Sequence, residues 1–147
     1  MKYADAWGET ATEYTYVQPY NRMAHALLKL GRKFWLYRWD YRGGLYAIHS
    51  SDNEALFSRT NLDKVAFNPE LTAKVDKFFR DCVLNFVESG EPTVNGEIEW
   101  KAYTQENRER MLIDEVCKLE SWDAIYDEKF PRQVFKLENE IEREKYD

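Results

Sequence analysis

The chain has 147 residues, 44% of them hydrophobic, and a formal net charge of -6. That length and composition suit one globular domain with a hydrophobic core and exclude a disordered chain. The acidic balance and the lack of any Lys or Arg run argue against phosphate-mediated nucleic-acid binding, and no stretch approaches the roughly 18 apolar residues of a membrane span.

The N-terminal MKYADAWGETATEY has no apolar signal core. Residues 1–17 are polar and aromatic without a clear period, and Tyr14, Tyr16 and Val17 are expected to form a short strand. A helix is expected from Pro19 or Tyr20 to Leu30. Met23, Ala24, Leu27, Leu28 and Leu30 form its apolar side, and Gly31 is its stop. FWLYRWDY, residues 34–41, reads as a strand. It is apolar on both faces apart from Arg38 and Asp40, which suits a buried sheet position. Arg42, Gly43 and Gly44 end it. The stretch GLYAIHSSDNEALF begins as a loop. From Asp52 it is expected to turn into a short helix, with Asp52 as N-cap and Ala55, Leu56 and Phe57 packing inward.

Asn68-Pro69-Glu70 is a strong helix start: a capping Asn, Pro at the first helical position and an acid in the first turn. The apolar steps Leu71, Val75, Phe78, Phe79, Cys82, Phe86 and Val87 continue that helix until Gly90, and Pro92 bars its extension. A polar loop follows, anchored by Trp100 and Tyr103. MLID, residues 111–114, reads as a strand, with VCKLES, residues 116–121, as its pairing partner. From Trp122 the chain reads as helical, broken or restarted at Pro131. Residues 122–147 end as a charged helix with a thin stripe of Val134, Leu137 and Ile141.

The chain thus reads as a single α/β domain over residues 1–147, without internal repeats. Strands are few, so the pattern looks like one end of a larger sheet. Aromatic residues are in surplus, with ten Tyr, eight Phe and five Trp. Tyr and Trp need partners for their polar tips, which points to an interface or an absent neighbour.

Reactive residues of α/β sheets collect at the carboxyl ends of strands. His49 follows the strand ending near Tyr41, the place for a general base whose unperturbed pKa near 6.5 suits proton transfer. The plainer alternative is a loop histidine without chemistry, which is the commoner case. Asp52 is read as a helix cap or as an acceptor near the site. His25, within RMAHALLK, is a helix-face residue. The two histidines have no cysteines nearby, so no metal site is expected. Cys82 and Cys117 read as reduced thiols of a cytoplasmic protein. The glycines stand at positions 8, 31, 43, 44, 90 and 96, and none frames a Gly-x-Ser-x-Gly nucleophile elbow. Ser50, Ser51 and Ser58 lie too close to His49 in sequence to resemble such an elbow. A small independent enzyme using Ser50 or Ser51 is the least favoured alternative, because a serine one or two residues from its base rarely reaches it with attack geometry.

Four stretches in this order carry a family likeness: FWLYRWDY, AIHSSDNEALF, NPELTAKVDKFFRDCVLNFVESGEP and EWKAYTQENRERMLID. Over residues 20–121 the chain resembles the C-terminal part of type-B carboxylesterases, the carboxylesterase and cholinesterase family of α/β-hydrolases. The resemblance places His49 on the family's catalytic histidine and Asp52 on the acidic position three residues later, which in the family is not the triad acid. Tyr37 and Trp39 fall on the strand leading to that loop. Trp100 and Tyr103 match its W-P-x-Y motif, and Asn107, Arg108, Met111, Ile113 and Asp114 its closing strand. Four departures stand out. Ser50 takes the place of the usual Gly after His, and Ser58 that of a Gly after Phe57. Lys101 stands where Pro is usual, and the loop before His49 is short. In the family the nucleophilic serine, the oxyanion-hole glycines and the triad acid all lie upstream of the matching region.

The resemblance implies an α/β-hydrolase C-terminal segment that supplies the triad histidine for carboxylic-ester hydrolysis, with no nucleophile or metal ligand of its own and no cofactor. This chain alone is then expected to be inactive. Its partner would be the remaining part of an esterase, acting on a small-molecule ester. The alternative is a non-catalytic binding module derived from an esterase, self-associating as a homodimer through its aromatic surface. Neither a membrane nor a nucleic acid is an expected partner.

Overall fold

The computed structural model describes residues 7, 8, 10–43, 47, 50–57, 68–94 and 98–124. These fall into two compact units, one with the described residues up to Arg32 and Ala124, the other spanning Lys33–Asp123. Among the described residues no helix is long and apolar enough to cross a membrane.

The first unit is helical. A π-helical turn, Glu13–Val17, runs directly into helix α1, Gln18–Lys29. Tyr14, Tyr16 and Val17 are therefore helical, not the strand expected from their side chains. Pro19 explains the local form. It lacks an N–H, and its ring crowds the carbonyl four residues back. The helix upstream widens, and the Gln18 N–H donates to the Glu13 carbonyl five residues earlier. Helix α1 ends as expected at Gly31, which sits at φ 60. Gly31 N–H donates to Leu28 O and Arg32 N–H to Leu27 O, both at 3.0 Å, a paired closure that needs the left-handed residue. The expected apolar side is only partly realised: Ala24 is buried, but Met23 and Leu30 are exposed.

The second unit is a three-stranded sheet with two helices. Strand β1 (Tyr37–Trp39) pairs in parallel with β2 (Glu109–Ile113), and β2 pairs antiparallel with β3 (Lys118–Ser121). The ladder on β1 is shorter than the 34–41 expected, yet its flanks remain bonded. Met111 N–H donates to Leu36 O, and the N–H groups of Asp40 and Tyr41 share the Ile113 carbonyl. Two donors on one acceptor end the regular register there. Arg110, Met111, Leu112 and Ile113 are all buried, as a middle strand covered on both faces requires.

Helices α2 (Ser51–Phe57) and α3 (Pro69–Ser89) lie between β1 and β2 in sequence. The start of α3 follows its local chemistry: Asn68 Oδ1 accepts the Leu71 N–H at 3.1 Å, and Pro69 occupies the first turn. Gly90, at φ 81, closes it. Val75, Phe79 and Cys82 enter the core with Tyr41, Ala55, Trp100, Met111 and Ile113. The Phe79 ring lies 5.0 Å from Tyr37 and 5.3 Å from Trp39, so α3 covers β1 through aromatic contacts. Beyond Cys82 the expected stripe emerges from the core: Phe86 is 46% exposed and Val87 75%.

Trp100 and Tyr103 anchor the polar loop as expected. Trp100 O accepts the Trp35 indole N–H, and Tyr103 donates its hydroxyl to Trp122 O. Trp122–Ala124 are not helical, against expectation. The Trp122 N–H is taken by Arg108 O, and its ring lies 3.6 Å beneath the Arg110 guanidinium, which also pairs with Glu120 at 2.6 Å. These contacts hold residue 122 beside the sheet. The expected helix beyond it falls outside the described residues. Nearby, the Asp123 carboxylate hydrogen-bonds Arg108 and, with its charge, holds that guanidinium above its ordinary pKa.

Candidate functional site

His49 lies outside the described residues, and the site is built here from the chain on either side of it. Before it, Tyr41 is buried to 3% exposure. Its N–H donates to Ile113 O, and its hydroxyl meets Thr72 Oγ1 of α3 at 2.7 Å. Gly43 turns at φ 54, where a Cβ would stand 3.0 Å from Tyr41 Cε1. Both the backbone and the tyrosine ring therefore favour glycine there. The end of β1 is thus tied to β2 and to α3 before the chain enters the segment containing His49.

After it, Ser50 sits at φ 68, the only described non-glycine residue at positive φ. The family pattern carries Gly at this position, so the serine occupies a backbone conformation that glycine adopts without strain. Ser50 O accepts the N–H groups of Asn53 and Glu54, which starts α2. Ser51 is buried at 6% exposure, closed to attack on an ester.

Asp52 departs from its expected role as N-cap. It lies inside the first turn of α2, and its carboxylate points elsewhere. Oδ2 accepts the Tyr37 hydroxyl at 2.8 Å, and Oδ1 accepts the Asn53 N–H at 3.0 Å. The negative charge still favours the helix N-terminus. One turn on, Ala55 is fully buried and its carbonyl accepts Arg80 Nη1 of α3 at 2.8 Å. Phe57 does not pack inward as expected but is 80% exposed. Two residues beyond Ala55 the helix has turned about 200°, which puts Phe57 on the opposite side.

The Tyr37–Asp52 bond is the feature that sequence reasoning missed. The available signal was a tyrosine in a largely aromatic strand, whose hydroxyl must find a partner when its ring is packed. A polar hollow of about 500 Å³ opens at the carboxyl ends of β1 and β2, lined by Asp40, Arg42, Asp114 and Glu115 among others. This is the end of a parallel pair at which α/β proteins bind ligands. Among the described residues, no group of three His, Cys, Asp or Glu side chains is placed to hold a metal ion. His25 lies half-buried on α1.

A sequence model of the carboxylesterase family matches residues 1–130. No curated protein matches the chain. Among solved structures, an esterase from anaerobic Clostridium hathewayi, which can hydrolyze aliphatic aromatic polyesters, has a TM-score of 0.58 at 29% identity. That match covers 65% of this chain and 20% of the esterase. A carboxylesterase of Geobacillus stearothermophilus has a TM-score of 0.69 at 20% identity, covering 87% of this chain and 27% of its own. A thermophilic PNB esterase has a TM-score of 0.53 at 22% identity, with coverages of 61% and 20%. The last two likenesses speak for fold alone, and that fold is the expected α/β-hydrolase segment. The chain spans between 20% and 27% of the length of these three solved esterases.

Proposed function

We propose, since the chain belongs to the carboxylesterase family, that it contributes the triad histidine, His49, to hydrolysis of a carboxylic ester. In this reading a serine and a triad acid from outside residues 1–147 complete the site. His49 removes the serine proton as the hydroxyl attacks the ester carbonyl, then protonates the departing alcohol. Water repeats the cycle on the acyl-enzyme. The reading rests on one observation above the others: the chain flanking His49 is tied down on both sides, after the carboxyl end of a parallel strand and at the start of α2, and the resemblance matches His49 to the family's histidine. The absence of a Gly-x-Ser-x-Gly elbow from the sequence supports an external nucleophile. The two cysteines form no disulfide, which supports a cytoplasmic setting.

The test is a chimera in which these 147 residues replace the matching segment of the Clostridium hathewayi esterase. It should hydrolyse a p-nitrophenyl ester, and His49→Ala should lower kcat about ten-thousand-fold. Undiminished hydrolysis by the His49→Ala chimera contradicts the reading.

The exposed apolar residues favour a second reading, a self-associating module without chemistry. Phe57, Val87 and Val116 are each at least 73% exposed. A native mass equal to two chains, together with a chimera that is inert in both forms, selects it.

A further inference from the structure

We propose that the aromatic hollow beside the amino end of β1 is a binding site for a small neutral aromatic molecule carrying a carbonyl oxygen, with the Trp100 indole N–H as its hydrogen-bond donor. This goes beyond the hydrolytic reading above and does not depend on it.

The hollow holds about 270 Å³ and is walled by Trp35, Tyr37, Phe79, Phe86 and Trp100 among others. All of these lie within the second unit. An apolar cavity of about 150 Å³ already admits benzene, so this one has room for a single ring with a short substituent. Phe86 is 46% exposed, which leaves a way in from solvent. Aromatic walls favour an aromatic guest through edge and offset contacts. Charge argues against an ionic one. Among the described lining residues only Lys33 carries a charge. Its side chain is 76% exposed, and its ammonium lies 3.7 Å from the Glu91 carboxylate.

One polar tip gives the site its chemistry. The Trp35 indole N–H donates to Trp100 O at 3.0 Å, and the Tyr37 hydroxyl donates to Asp52 at 2.8 Å. The Trp100 indole N–H is buried without a hydrogen-bond partner among the described residues, in a side chain of a residue only 5% exposed. A buried donor left unpaired is costly, and an indole can only donate. The group that satisfies it is therefore an acceptor, which a carbonyl oxygen on the guest supplies. Trp100 is also held ready for it. Its backbone N–H donates to Thr93 Oγ1 at 3.1 Å, and its carbonyl accepts from Thr93 Oγ1 at 3.3 Å as well as from Trp35. A residue fixed beforehand loses little freedom on binding. A largely apolar hollow with one fixed polar group is the usual form of a small-molecule site.

The experiment titrates the whole chain with acetophenone and, separately, with ethylbenzene, a molecule of similar shape that lacks the oxygen. The readout is the indole N–H region of the NMR spectrum, to which the five tryptophans contribute. Trp7, 75% exposed and in the first unit, is the internal control. The expected result is a saturable downfield shift of the Trp100 signal with acetophenone and an unmoved Trp7 signal. Ethylbenzene should bind about tenfold more weakly and give no downfield shift. Trp100→Phe, which keeps a ring and deletes the donor, should bring the two affinities together. If that variant does not fold, Val83→Phe decides: it narrows the hollow from its wall and should abolish the acetophenone response. A Trp100 signal that acetophenone leaves in place, or equal affinity for the two molecules, overturns the proposal. The chimera should respond as the isolated chain does. Loss of the response there would show that the recipient esterase's own chain fills the hollow, and that too overturns the proposal.

Discussion

Helix α3 starts on its own local chemistry, with the Asn68 side chain capping the Leu71 N–H and Pro69 preset in the first turn. Helix α2 starts from Ser50 at φ 68, and its first acidic side chain divides its two oxygens between a strand tyrosine and the adjoining Asn53 N–H. One start is written in three adjacent residues. The other needs a partner 15 positions away. The difference teaches where this chain can be remodelled. A locally capped helix tolerates changes in distant elements, whereas a start held by tertiary contact carries strain released by a distant substitution. The strained start is the one beside the candidate catalytic histidine, as is common at functional sites.

Three substitutions bear on this contrast through urea-unfolding free energies. Phe79→Ala has the largest expected effect, a loss of about 4 kcal/mol, because it empties the core contact through which α3 meets both Tyr37 and Trp39. A loss under about 1 kcal/mol would mean that α3 is not packed on β1 as described. Asn68→Ala should cost about 1 kcal/mol and leave the Ser50 and Ser51 amides undisturbed, since the cap is local. Disturbance at Ser50 would break the contrast between the two helices. Ser50→Gly should change stability least and in the opposite direction, a gain of about 0.5 kcal/mol. Relief at positive φ is partly offset by the greater freedom of glycine in the unfolded chain. A net loss from Ser50→Gly would show that the serine side chain, not the backbone, matters there.

The same contrast explains what could be read from the residues alone. The start and stop of α3, the pairing of β2 with β3 and the anchoring by Trp100 and Tyr103 follow from local caps, alternation or large aromatic side chains, and all appear in the structure. The π-helical turn at Glu13–Val17 was not legible, because β-prone tyrosines and valine were overridden by helix propagation around Pro19. The Asp52 partner was not legible either. An acid at a helix start reads as a cap, and nothing in the neighbouring sequence points to Tyr37. Phe57 was misplaced because an apolar residue was assigned inward without following the turn of the helix from Ala55. For the site, the family motifs marked His49, while the structure describes only the chain that flanks it. Long-range contacts, not residue types, decide the geometry on that flank.

The most direct measurement of the central claim is covalent labelling of the chimera with a fluorophosphonate, followed by peptide mapping. The account predicts the label on a serine of the recipient esterase and none on Ser50, Ser51 or Ser58, with labelling slowed about a thousandfold or more by His49→Ala. Label on a serine within these 147 residues, or a rate indifferent to His49→Ala, would contradict it.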